Sequence, residues 1–367
     1  MNITKASTQW QNRPDDERFE SLLAMNDHLQ ALRSVSLERV VSAKSITVVP
    51  KNDGYNGLGV LGKTDTITDL THWSMGQLAY RAGAPAGYLR SLPAPIAADC
   101  LNIGLQRDKD QEYVGALLSI SNSDSGPNTP VLRALTGPQY GRIWNATISQ
   151  ALVDRFGDGL TGDFRVPGEF GKQTTVTKAN TTIYASDRDM FVFLADEKNK
   201  IELPNRRDGK AGLLSRGFFV WNSEVGASTF GVATFLFDYV CANRIVWGAN
   251  EYKEIKIRHT ANAPEKWIEE ITPTLEQYAQ SSTLGITQAI AAARNSRVEK
   301  VEDFLKSRFT ERQTTRIIQA HATDEGRPME NLWDIATGIT AFARDIGYQD
   351  ERILLERKAG LILNMAL

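Results

Sequence analysis

Apolar residues recur at helical spacing near both ends of the chain and crowd into short unbroken runs in its middle. Leu22, Met25, Leu29 and Leu32 form one stripe, predicting a helix over 15–33. It opens on Pro14-Asp15-Asp16-Glu17, whose acids suit the positive end of a helix dipole. Val40, Ile46, Val48 and Val49 predict strand structure over 37–50, followed by a turn-rich loop from Lys51 to Gly57. Short helices broken by Gly83, Pro85, Pro93 and Pro95 are expected between Thr71 and Gln106. Strands over 112–120 and 129–136 flank Ser121–Asn128, an octet so rich in Gly, Ser and Asn that it reads as a loop. A helix is expected from Gln139 to about Arg155.

The next stretch is strand-like. Val176–Ala185 and Met190–Ala195 read as a hairpin turning at Ser186-Asp187-Arg188-Asp189, with further strands over 217–222, 228–240 and 252–259. Beyond Pro264 the pattern becomes helical, over 264–280, 284–294, 297–308, 310–321, 330–346 and 350–366. Leu332, Ala336, Ile339, Ala343 and Ile346 mark one such face, with Ile335 and Phe342 beside it. The expected fold is α+β: an antiparallel-sheet-containing body over 1–262 followed by an α-helical C-terminal region over 263–367.

Composition narrows the function classes. With 41% hydrophobic and 23% charged residues the chain is globular, not disordered. A net charge of -2 argues against a basic coater of DNA, so nucleic-acid binding requires a local basic surface. Cys100 and Cys241 fit neither a disulfide framework nor a zinc pattern, which is the usage of a cytoplasmic protein. No apolar run follows Met1–Lys5 as a signal core, and none reaches the roughly 18 residues of a membrane span. His28, His72, His259 and His321 are scattered, and Asp187-x-Asp189 reads as a turn, so neither metal nor cofactor is expected. Gly57–Thr64 ends in Gly-Lys-Thr but reads as a glycine-rich turn.

Two features carry candidate chemistry. The run Gly217–Trp221 stops at Asn222-Ser223-Glu224, and Cys241-Ala242-Asn243-Arg244 interrupts the following apolar run. Ser223 beside Glu224, or Cys241 with His259, are weak candidates for a nucleophile and base, with Asn243 nearby. Ser223 lacks the Gly-x-Ser-x-Gly elbow, however, and a small Cys on an apolar strand is usually core. The second feature is basic. Lys198, Lys200, Arg206, Arg207, Lys210 and Arg216 are opposed only by Glu202 and Asp208, and an aromatic strand follows. Lys256 and Arg258 share one strand face, and Tyr140, Arg142 and Trp144 form another group with Arg133. Cations beside flat rings suit single-stranded nucleic acid. Arg206, Arg207, Lys210, Arg216, Lys256 and Arg258 would meet phosphates, while Tyr140, Trp144 and Trp221 stack on bases.

Four segments also carry a resemblance: Leu135–Ile143, Ser186–Phe191, Trp221–Gly226 and Cys241–Arg244. In this order, from about residue 70 to 345, they resemble the phage- and plasmid-like protein family defined by a domain of unknown function. Arg244 stands here where a glycine often follows Cys-x-Asn. The resemblance implies a role in DNA metabolism, or in protecting incoming DNA from the host. A buried Glu224 would require a cation, with Arg142, Arg188, Arg216 and Arg244 as candidates, and Asn222 and Asn243 could complete a structural network. The leading expectation is an accessory protein that binds single-stranded DNA, promotes strand annealing and assembles as a homo-oligomer. A hydrolase or nucleotide-modifying enzyme centred on Ser223, Glu224, Cys241 and Asn243 is the second reading. The third is an inhibitor that binds a host defence protein.

Overall fold

The computed structural model describes residues 13–51, 57–61, 66–107, 113–123, 126–166, 175–179, 181–203, 212–238, 243–245, 247, 255–347 and 349–367. The fold is α+β, as the patterning predicts. The first sheet joins β1 (Ser36–Ser42), β2 (Val48–Pro50), β3 (Leu58–Leu61), β4 (Ile67–Leu70), β5 (Tyr113–Ser123) and β6 (Gly126–Thr136). Their spatial order is β1-β5-β6-β4-β3-β2, and β4 and β6 form its parallel pair. Helices His72–Arg81 and Ala94–Arg107 cover one face, burying Leu78, Ala79, Leu101 and Leu105 against Val114, Ala116, Leu132 and Leu135.

The second sheet holds β7 (Phe164–Arg165), β8 (Ile183–Ala185), β9 (Met190–Asp196), β10 (Ile201–Leu203), β11 (Gly212–Asn222), β12 (Phe230–Asp238), β13 (Asn243–Ile245) and β14 (Ile255–Ile257). It is antiparallel, with β11 between β9 and β12. The unbroken apolar run of β11 has a physical cause: both faces of the strand are covered. Phe218 and Val220 face a core with Leu22, Met25 and Leu29 of helix Leu22–Ser34, Ile148 and Leu152 of helix Asn145–Phe156, and Trp267 and Tyr278. Phe219 and Trp221 point the other way, into a cluster with Phe191, Phe193, Phe235 and Phe237.

The helices beyond residue 263 share their core with this sheet. Ala289, Ile317, Ile335, Ile339, Phe342 and Leu363 pack with Leu203, Leu214, Leu236, Ile245 and Trp247. Every residue from Leu332 to Ala343 is buried, so the helix Leu332–Arg344 is the hub of the region. Among the described residues no helix is long and apolar enough to cross a membrane.

Several local expectations are corrected. The N-terminal helix starts at Leu22 with Ser21 as its cap, and Asp15–Glu17 form a separate single turn. The helix expected from Gln139 begins at Asn145, because Gly137–Trp144 run irregularly into a polar network. The first strand of the hairpin begins at Ile183 instead of Val176. Gly57–Thr64 ends like a phosphate loop and reads as a turn, but Leu58–Leu61 is a strand laddered to β2 and β4. A phosphate loop opens a helix, whereas the next element among the described residues is β4, starting at Ile67.

Candidate functional site

Beyond Asn222 the chain turns inward. Ser223 is wholly buried and Glu224 is 4% exposed, and Gly226 closes the turn at a φ of 80°, a conformation that favours glycine. Glu224 Oε2 accepts from Arg133 Nη2 at 2.8 Å, and Oε1 accepts from the backbone N–H of Asn145 at 2.8 Å. The carboxylate thus lies at the N-terminus of helix Asn145–Phe156, where it satisfies a donor with no partner in the helix and faces the positive dipole end. Asn222 Nδ2 donates to the Ile143 carbonyl at 2.8 Å and to Asn145 Oδ1 at 2.7 Å. Ser223 Oγ donates to the Arg188 carbonyl at 2.7 Å and accepts from the Ala227 N–H at 2.9 Å. The Tyr140 hydroxyl donates to the Ser223 carbonyl at 2.9 Å.

This network ties β6, the 137–144 segment and the 186–189 turn to the end of β11. The cation is Arg133, which none of the four arginines proposed from sequence matched. Ser223 Oγ is held by backbone groups, the arrangement of a turn and not of an activated nucleophile. Asn243 lies elsewhere: it pairs with Asp238, which pairs with Leu214 at the opposite end of β11. Ser223, Glu224 and Asn243 therefore do not converge, and Cys241 lies outside the described residues.

The candidate DNA-binding residues separate in the same way. Arg216 is 1% exposed, with Nε donating to Asp196 at 3.0 Å. Its Nη1 donates to the Ser281 carbonyl at 2.7 Å and its Nη2 to the Ala279 carbonyl at 3.1 Å. It fastens the C-terminal end of helix Thr272–Gln280 to the sheet and is out of reach of a phosphate. Trp221 is also buried. It faces Gly231 on β12, where an added Cβ would overlap the indole. Arg142 is buried, donates to Glu38 at 3.0 Å and lies over the Tyr140 ring, and the Trp144 ring carries the Arg33 guanidinium at 3.9 Å. Arg206, Arg207 and Lys210 lie outside the described residues.

What remains at the surface is a groove of about 580 Å³ lined by Tyr113, Gly137–Tyr140 and His259–Ala261. Tyr140 and His259 stack there, centroids 4.7 Å apart and planes at 18°. Burial holds the His259 pKa below its ordinary value, aided by Arg142 and opposed by the Gly141 carbonyl. His259 Nδ1 lies 3.1 Å from that carbonyl, which can only accept, so this nitrogen carries the proton. Tyr113 is 50% exposed, and Lys256 and Arg258 are exposed on the chain entering the groove. Sequence reasoning missed Tyr113 and His259 as ring surfaces because a single aromatic carries no spacing signal.

A family model described as a domain of unknown function (DUF932) matches residues 170–354, half of the chain. The chain belongs to the DUF932 family. The match begins at 170 instead of 70 and runs to 354 instead of 345, so Leu135–Ile143 falls outside it. No curated protein and no solved structure matches the chain. The polar network crosses the edge of the DUF932 match: Arg188, Asn222, Ser223 and Glu224 lie inside, while Arg133, Tyr140 and Asn145 lie before it. The groove is split likewise, with His259 inside the DUF932 region and Tyr113 and Tyr140 before it.

Proposed function

We propose that this DUF932-family chain binds single-stranded DNA as an accessory protein of phage or plasmid DNA metabolism. The observation that supports the reading is the Tyr140–His259 stack in an open groove, with Tyr113 at its edge and the exposed Lys256 and Arg258 beside it. Ring faces accept any base and cations take the phosphates, so such a surface binds strands with little sequence preference. The mobile-element setting rests on the resemblance of the four segments. The enzyme reading has less support, because the Ser223–Glu224 pair is closed on backbone groups and Arg133.

Labelled oligo-dT titrated by fluorescence anisotropy across a salt series tests this. Affinity should fall steeply with salt, and Lys256→Ala with Arg258→Ala should flatten the slope by roughly 0.7 for each phosphate that is no longer neutralised. Tyr113→Ala should weaken binding by about 1–3 kcal/mol if it stacks on a base. Leu203 and Gly212, which flank Arg206, Arg207 and Lys210, lie about 30 Å along β11 from the groove at the strand rise of ~3.3 Å per residue. Alanines at those three positions should lower affinity if that segment also meets phosphates. No binding at low salt, or binding unchanged in all these variants, overturns the proposal.

A further inference from the structure

A second, larger cleft of about 620 Å³ lies away from the groove, within the size range of small-molecule sites. Its two walls differ in charge chemistry. One wall is helix His72–Arg81, which presents Trp73, Gly76, Gln77, Tyr80 and Arg81 at helical spacing, with Arg90 beside them. The other wall is the N-terminal turn with Glu17 and the hairpin turn Ser186–Asp189.

The carboxylate wall is compensated in part. Arg13 Nη2 reaches Asp189 at 2.9 Å and Nη1 reaches Glu17 at 3.5 Å. Arg90, on the opposite wall, is not paired in this way. Arg90 lies over Gly76, a residue with no side chain to displace it, and donates through Nη2 to the His72 carbonyl at 2.9 Å. Among the described residues no carboxylate forms an ion pair with Arg90, although the side chain is half-buried. His72, also on the cleft, has a buried Nδ1 with no hydrogen-bond partner among the described residues. A half-buried guanidinium facing an open cavity is a ready partner for an anionic oxygen, and its planar fork matches phosphate. Trp73 is fixed by its Nε1 bond to the Val225 carbonyl at 2.8 Å, and the Arg188 guanidinium lies 4.8 Å from its ring centre, bridging the walls. Tyr80, 86% exposed, offers a further ring at the rim.

We propose that this cleft holds a nucleotide phosphate, with Arg90 on the phosphate and the Glu17–Asp187 wall accepting N–H or hydroxyl groups of the base or sugar. A cleft of about 620 Å³ admits a nucleotide, supplied either as a free mononucleotide or as the phosphorylated end of a strand. A ligand anionic at one end and rich in donors at the other fits walls that are cationic and acidic in turn.

Three probes separate the sources: dTMP, and oligo-dT of one length with either a 5′-phosphate or a 5′-hydroxyl. If strand ends are the ligand, the 5′-phosphorylated probe binds on the order of tenfold tighter than the hydroxyl probe. Arg90→Gln erases that difference and leaves the hydroxyl probe unchanged. If free nucleotide is the ligand, dTMP raises the melting temperature of the protein and Arg90→Gln abolishes the rise, with no preference between the oligonucleotides. Tyr113→Ala and Arg258→Ala lower affinity for both oligonucleotides equally, so failure of the groove and failure of the cleft read out differently. Arg90→Lys, which keeps the charge, should retain part of the effect and guards against misfolding of the glutamine variant. Equal affinity for both oligonucleotides together with no shift by dTMP overturns the proposal.

Discussion

Glu224→Ala is the sharpest test of whether the polar network holds the fold or performs chemistry. The substitution strands the guanidinium of Arg133, itself 3% exposed, and removes the acceptor of the Asn145 N–H. Among the described residues Arg133 would keep one side-chain hydrogen bond, to Ser36 Oγ at 3.4 Å, which is long for a charge-assisted bond. Breaking a buried ion pair costs about 3–5 kcal/mol, and orphaning a buried N–H about 1–3 kcal/mol. Both losses come from removing one carboxylate, so they overlap, and a loss of about 4 kcal/mol is expected. That is a large fraction of the ~5–15 kcal/mol of a typical domain. Urea unfolding followed by tryptophan fluorescence should show a lower midpoint with an unchanged slope. Arg133→Met combined with Glu224→Leu should recover more than about 1 kcal/mol relative to Glu224→Ala, because no charge is then left unpaired. If Glu224→Ala costs less than about 1 kcal/mol and instead abolishes DNA binding, the structural account is refuted and the pair belongs to a functional site.

Arg216→Ala should destabilise by about 3–5 kcal/mol, since it leaves Asp196 buried without its cation and frees the end of helix Thr272–Gln280. Increased amide exchange in residues 272–281 would check it. Gly231→Ala should lower the melting temperature measurably by pushing against the Trp221 indole, an overpacking cost of about 1–3 kcal/mol. Burial pushes the Glu17 pKa up to about 7 from 4.5, with Asp187 and Asp189 adding to it, and Arg13 opposes only partly because it is shared with Asp189. Between pH 4.5 and 7 the folded chain therefore holds a proton that the unfolded chain releases, so stability should fall as pH rises through that window. After solvent screening the change is about 1–2 kcal/mol. Glu17→Gln should flatten the profile in thermal melts at graded pH.

Much of the fold was legible because its signals are local. The stripe Leu332, Ala336, Ile339 and Ala343 is buried as its spacing requires, and Ser186–Asp189 turns between β8 and β9. The run Gly217–Trp221 predicts a strand over 217–222, and it lies within β11, Gly212–Asn222. The site was less legible. Arg216 and Arg258 look alike in sequence, yet the first lies inside the sheet–helix junction and the second is exposed. A charge count along the chain does not register which charges meet a partner brought in from elsewhere. Glu224 required a cation by elementary electrostatics, but Arg133 is 91 residues away and shares no pattern with it. Both clefts likewise join segments distant in sequence: Tyr113 with His259, and Glu17 with Trp73 and Asp187. Sequence alone thus determined the periodicities, the α+β class and the need for a buried counter-charge, since each depends on neighbouring residues or on a single side chain. Tertiary structure decided which arginine supplies that charge, which rings reach the surface and where the cavities lie, because those depend on how separate elements pack together.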